Sequence, residues 1–176
     1  MALNKKKAPK KSAKKNIILE TNKGNITIEL LSKLAPKHCE RILKLSKDKY
    51  FDEVVFHRVI EGFMAQTGDG QYGSIKKGLQ SDRAGTGGSE LPDLDAEFTS
   101  EPFARGMVGM ARSQNPNSAN SQFFIMLEDS PHLNNQYTVW GKVINGMDVV
   151  DKIKKGDQLD NGKVDEPDFI KTIKNV

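Results

Sequence analysis

A chain of 176 residues with 36% hydrophobic and 28% charged residues has the size of one ordinary domain and enough apolar material for one core. No apolar run approaches the roughly 20 residues that cross a bilayer, and the single cysteine, Cys39, excludes an internal disulfide and fits a reducing compartment, so the cytoplasm is the expected location. The formal charge of +4 is uneven: residues 1–15 hold seven lysines and no acid, while the other 20 basic residues face 23 acidic ones.

The segment 1–15 reads as a disordered, solvated tail, with a nonspecific anionic partner such as nucleic acid or a membrane surface as the other reading. No apolar stretch follows its lysines, so it is not a secretory signal. Residues 16–31, NIILETNKGNITIELL, are two alternating runs joined at NKG, which predicts a hairpin. APKHCERILKLSKDKYF then places Pro36 in a first helical turn, with Cys39, Ile42 and Leu45 three apart on one apolar face. Strands are predicted over Val54–Ile60 and Met64–Thr67, followed by a glycine-rich loop over 68–90. Further strands are predicted at Asp95–Phe98, Met107–Ala111, Gln122–Leu127, Tyr137–Val143 and Phe169–Lys174, and a short helix in GMDVVDKIKKG. About eight short strands with few intervening helices predict a mainly β fold, a closed eight-stranded antiparallel barrel capped by two α-helices.

Several chemistries find no support. His38, His57 and His132 are scattered, so no metal site is expected, and no cofactor. No GxSxG elbow is present. GTGG (85–88) lacks the Lys-Ser/Thr of a phosphate loop and reads as a flexible turn. Cys39 reads as a small core residue. His57 and Arg58 are neighbours on a predicted strand and should face opposite sides, which makes His57 a satisfied structural histidine.

Arg58 is the residue that asks for an explanation. It sits in FHRVIEGFMAQTGD (56–69), inside an apolar run, although arginine is seldom buried without a partner. Met64 and Gln66 share one face of their strand. In SQFFIML, Gln122, Phe124 and Met126 share one face, while Phe123, Ile125 and Leu127 take the other. Periodicity leaves two readings open: a greasy pocket rimmed by donors, or side chains that merely fill the barrel.

FHRVIEGFMAQTGD, GTGG, MAR…NPNSANSQFFIML and WGKVINGMDVVDKI, in this order, resemble the cyclophilin family of peptidyl-prolyl cis–trans isomerases, from about Asn16 to the C-terminus. The resemblance implies an isomerase domain over 16–176 acting, without cofactor, on Xaa-Pro bonds of proline-containing peptides and unfolded proteins; a monomer is the default expectation. It implies that Arg58, Phe63, Gln66 and Phe124 are catalytic. Met64, Ala111, Arg112, Gln122, His132, Leu133 and Tyr137 would contact substrate, with Phe63, Met64, Phe124 and Leu133 lining a proline slot. Arg112 stands where the family often has asparagine. His132 stands where many eukaryotic members carry a cyclosporin-binding tryptophan, so weak or no cyclosporin binding is expected. Tyr137 replaces a histidine, as in the bacterial branch. Trp140 is expected in the core, and the loop from Asp69 to Gly85 is longer than in compact members. The set Arg58, Phe63, Gln66 and Phe124 favours an enzyme over a module that only holds proline segments, and the body offers no basic stripe with interleaved aromatics to favour a nucleic-acid-associated protein acting through its tail.

Overall fold

The computed structural model describes residues 15–176. The expectation of a disordered lysine-rich tail therefore concerns, apart from Lys15, residues outside those described. Lys15 itself accepts a backbone hydrogen bond from Leu30.

Strands β1 (Asn16–Thr21) and β2 (Gly24–Leu30) form the predicted hairpin, closing on Asn22 and Lys23 with Thr21 opposite Gly24. Their period-two pattern sends Ile17, Leu19, Ile26, Ile28 and Leu30 into the core. Helix α1 (Pro36–Lys47) begins on its proline and buries Cys39, Ile42 and Leu45 as the spacing predicts. Strands β3 (Val54–Val55), β4 (Arg58–Ile60), β5 (Met64–Thr67), β6 (Met107–Met110), β7 (Phe123–Met126) and β8 (Val139–Asn145) follow. Helix α2 (Met147–Lys152) and strand β9 (Phe169–Asn175) complete the fold.

All strand pairs are antiparallel, in the order β3-β9-β1-β2-β8-β6-β7-β5-β4. The two strands that end this order, β3 and β4, are consecutive in the chain. The sheet thus curls into a half-barrel whose two end strands are joined through Phe56 and His57. There Phe56 N–H donates to Asp168 O at 2.8 Å and Val59 N–H to Gly162 O at 2.9 Å. The single strand predicted over Val54–Ile60 is therefore two short strands, because the chain leaves β9 and joins β5 within it.

The strand predicted at Asp95–Phe98 does not form. Leu94 makes one isolated bridge to Ala119, and the polar groups that follow are satisfied elsewhere. Ala96 N–H donates to Asn117 Oδ1 and Glu97 N–H to Thr138 Oγ1. The Glu97 carboxylate accepts from the backbone N–H groups of Lys37 and His38, supplying an anion at the start of α1, where Ala35 offers no side-chain cap. Of the nine segments named as strands, one is lost and one is divided, so the sheet has nine strands among the described residues where the barrel was expected to have eight.

Two apolar clusters result. The larger one joins the α1 face to Phe123, Ile125, Leu127 and Trp140. Trp140 is fully buried, edge-on to Phe123, and Cys39 Sγ–H donates to its carbonyl. The smaller cluster collects Met64, Phe103, Met107, Phe124, Met126, Leu133 and Val139. The alternation read in SQFFIML is thus a division between two cores, and the second is the floor of the candidate site.

Candidate active site

Strand register assembles the site. In β4–β5, Arg58 lies opposite Gln66; in β5–β7, Gln66 lies opposite Phe124; in β6–β7, Phe124 lies opposite Gly109. Cross-strand partners share a face, so Arg58, Gln66, Phe124 and Gly109 form one row across four strands.

Phe124 is 5% exposed and is held from two sides. Phe103 stacks on it at 5.7 Å with 29° between the rings, and Tyr137 meets it edge-on at 5.6 Å and 88°. Gly109 leaves room for this arrangement: a Cβ there would lie 2.6 Å from both Phe103 Cε1 and Phe124 Cζ. Above Phe124 opens a cradle of about 150 Å³. Phe63, Met64 and Leu133 give it apolar walls, Tyr137 and Ala111 another side, and Arg58, Gln66 and Arg112 its polar edge.

Arg58 donates from Nε to Asn161 O at 3.0 Å, from Nη2 to Asn161 Oδ1 at 3.1 Å, and from Nη1 to Gln66 Oε1 at 3.1 Å. All three acceptors are neutral. A guanidinium has five N–H donors, so three bonds leave two, one on each terminal nitrogen. Burial draws the guanidinium pKa down and Tyr137 opposes the change; the group remains a cation at any physiological pH.

The other expected site residues fall around this centre. Gln66 Nε2 donates to Gln122 Oε1 at 3.1 Å, and Gln122 Nε2 donates to the carbonyls of Gly85 and Gly87 at 2.9 Å each. Gln122 accordingly lines a neighbouring hollow of about 300 Å³, not the cradle, although Gln66, Ala111 and Arg112 border both. Ala111 N–H is paired with Gln122 O. Arg112 lies 4.6 Å from the Tyr137 ring centroid and donates to the Gln136 carbonyl from Nε and Nη2, which makes it a braced wall. His132 is exposed and tilts over Phe63 at 5.7 Å, on the rim and outside the cradle lining.

His57 departs from expectation. It lies between β3 and β4, where the bend breaks strand alternation, and both it and Arg58 line a hollow of about 480 Å³ beside the cradle. It is not a satisfied histidine: Nδ1 is buried without a hydrogen-bond partner among the described residues. Burial, with Arg58 adding to it and Asp69 opposing, pushes its pKa down to about 4, so the ring is neutral.

Sequence reasoning missed Asn161, Phe103 and Gly109. Asn161 belongs to an Asp-Asn-Gly turn and has φ of 53°, a turn signature readable in sequence. Its use as the seat of Arg58 is not readable.

Comparison with known proteins identifies the family of the chain. Residues 16–175 match the family described as cyclophilin type peptidyl-prolyl cis-trans isomerase/CLD. A probable peptidyl-prolyl cis-trans isomerase of Brucella suis is 60% identical over 154 residues, covering 88% of this chain and 79% of that protein. The peptidyl-prolyl cis-trans isomerase-like 3 of Gallus gallus is 40% identical over 141 residues, covering 79% of this chain and 81% of its own. Among solved structures, a Cryptosporidium parvum cyclophilin type peptidyl-prolyl cis-trans isomerase superposes with a TM-score of 0.79 at 28% identity, covering 93% of this chain and 98% of that one. A second structure of it, in the presence of the dipeptide Ala-Pro, gives 0.76 at 30% identity over 90% and 96% of the two chains.

The curled antiparallel sheet with two helices matches the fold of the cyclophilin-type prolyl isomerases among these solved structures. The chain belongs to the cyclophilin-type peptidyl-prolyl cis-trans isomerase family, and its activity is peptidyl-prolyl cis–trans isomerisation.

Proposed function

We propose that the protein assists folding of proline-containing chains in the cytoplasm, and that Arg58 lowers the barrier by donating to the prolyl nitrogen of a twisted Xaa-Pro amide held in the cradle. Rotation about that bond makes and breaks no covalent bond. Its barrier of roughly 18–20 kcal/mol reflects lost amide resonance, and uncatalysed exchange takes tens to hundreds of seconds. An acceleration of about 10⁵ requires roughly 7 kcal/mol of selective stabilisation.

Half-rotated, the nitrogen is pyramidal and holds a localised lone pair that the planar amide lacks. A donor aimed at it binds the transition state in preference to either ground state. The single observation that carries this reading is the position of Arg58: a cation with two uncommitted N–H groups at the edge of a cradle floored by Phe124. Its apolar surroundings strengthen a hydrogen bond to a transient acceptor. The ring would be clamped by Phe63, Met64, Phe124 and Leu133, while Gln66, Ala111 and Arg112 flank the peptide chain. The Ala-Pro dipeptide used with the Cryptosporidium parvum structure supports proline as the occupant.

The test is an NMR exchange assay on an Ala-Pro peptide. Arg58→Ala should fold normally and lose at least about a hundredfold in kcat/KM, as expected when one aimed donor is removed; Arg58→Lys should recover little, since it lacks the planar fork. Near wild-type turnover by the alanine variant would remove the assignment.

A further inference from the structure

Asp69 lies outside the cradle, and the chemistry above makes no use of it. It is fully buried, and among the described residues no cationic side chain is paired with it. Its lone pairs are filled instead by four backbone amides. Oδ1 accepts from Gln71 and Tyr72 at 3.0 Å each, and Oδ2 accepts from Gly85 at 2.8 Å and Gly87 at 3.0 Å. A buried carboxylate left without such donors is strongly disfavoured, so the carboxylate draws the far end of the long loop onto itself. The glycines permit the approach: a Cβ at Gly87 would collide with Asp69 Oδ1. The GTGG segment is therefore a fitted contact, not a flexible turn.

The same two glycines present their carbonyls to Gln122 Nε2. Carbonyls only accept, so the Gln122 carboxamide must turn its nitrogen to the loop and its oxygen to Gln66. Gln66 then donates from Nε2 to that oxygen and has only its own oxygen left for Arg58 Nη1. The direction of donation is set at the loop and carried through two side-chain amides to the guanidinium. A flip of either amide would bring like groups face to face.

We infer that Asp69 is a positioning residue of the isomerase: through the backbone of Gly85 and Gly87 and the carboxamides of Gln122 and Gln66, it fixes which N–H groups Arg58 presents to the cradle. The inference rests on the role of Arg58 proposed above. It adds a remote determinant of rate that itself lies outside the cradle.

The test uses the full chain with Asp69→Asn, Gln122→Met, their combination, and Arg58→Ala. Asparagine cannot accept at both ends of its side chain, so Asp69→Asn breaks one pair of loop contacts. Gln122→Met cuts the same path at its middle and leaves Asp69 in place. Each should lower kcat by about tenfold to a hundredfold with KM within about twofold, the signature of misplacement by less than an ångström or so. The double variant should be no slower than the slower single one, because both sever one path. The Arg58 Nε–H and Gln66 side-chain amide resonances should shift in both single variants. If Asp69→Asn does not fold, the kcat of Gln122→Met and its Arg58 resonance decide the matter. Multiplicative losses in the double variant overturn the inference. So does wild-type turnover by Gln122→Met while Arg58→Ala is inactive. Wild-type turnover by Arg58→Ala instead removes the arginine mechanism, and the catalytic role of Asp69 with it.

Discussion

Asn161 grips Arg58 twice, through its backbone oxygen at 3.0 Å and its side-chain oxygen at 3.1 Å, across 103 residues of sequence. The two bonds do different work, and substitution can separate them. Asn161 has φ of 53°, a conformation that glycine adopts freely and alanine only under strain. Asn161→Gly keeps the backbone acceptor and removes the side-chain one. It should retain the fold and lose about three- to tenfold in kcat, consistent with one hydrogen bond to a charged group contributing on the order of 1 kcal/mol of orientation. Asn161→Ala should lose the same catalytic increment and, in addition, about 1 kcal/mol of stability in urea unfolding. Equal stability of the two variants would contradict the backbone argument.

Gly109 controls the cradle from beneath. An added methyl there meets Phe103 and Phe124, each at 2.6 Å, and both rings are packed too closely to withdraw. The side with free space is the cradle itself. Gly109→Ala should therefore push Phe124 toward the proline position, raise KM for proline peptides several-fold and cost about 1–3 kcal/mol of stability, as overpacking does. A crystal structure of the variant with the Phe124 ring undisplaced and KM unchanged would refute this.

These two residues also mark the limit of what the sequence discloses. The two faces of residues 122–127 are readable because β7 runs as one uninterrupted strand, so period two alone separates Phe123, Ile125 and Leu127 from Phe124 and Met126. The hairpin at Asn22 and Lys23 and the apolar stripe of α1 were readable for similar reasons, since each is local. The division of residues 54–60 was not, because Val54, Val55, Phe56 and His57 are all buried and a continuous buried run conceals the bend. The false strand at Asp95–Phe98 arose from an alternating pattern whose Glu97 serves the start of α1, about 60 positions away. The cradle residues were identified through family motifs. The partners that hold them, Asn161, Phe103 and Gly109, depend on register and long-range closure, which neither spacing nor composition encodes.

His57 should make stability depend on pH. Burial lowers its folded pKa to about 4, against 6.5 for an unperturbed histidine. Between these values the unfolded chain binds a proton that the folded chain refuses, so folding stability is complete above about pH 6.5 and falls as pH drops toward 4. The loss by pH 4.5 is on the order of 2–3 kcal/mol. His57→Gln does not titrate, and its urea-unfolding free energy should vary less between pH 7.5 and 4.5 by that amount. A residual slope of the same sign should persist from His38, whose pKa is also lowered, chiefly by burial and against its hydrogen bond to Glu97. An unchanged pH profile in His57→Gln would show that the imidazole takes up its proton in the fold.

His132 gives the last prediction, which concerns a ligand beyond the peptide. Its ring is exposed and tilted at 33° over Phe63, 5.7 Å away, so the cradle is rimmed on that side by a small, solvated imidazole. A tryptophan at this position would add apolar area and an indole N–H donor directly beside Phe63. Buried aromatic anchors of this kind contribute 2 kcal/mol or more at interfaces. His132→Trp should accordingly tighten cyclosporin binding by about thirtyfold, measured by calorimetry or by inhibition of peptide exchange, while leaving uninhibited kcat within about twofold. The wild-type protein should bind the drug weakly. Tight binding by the wild type, or no gain in the variant, would show that affinity is set elsewhere on the rim, with Arg112 braced on Tyr137 as the next surface to alter.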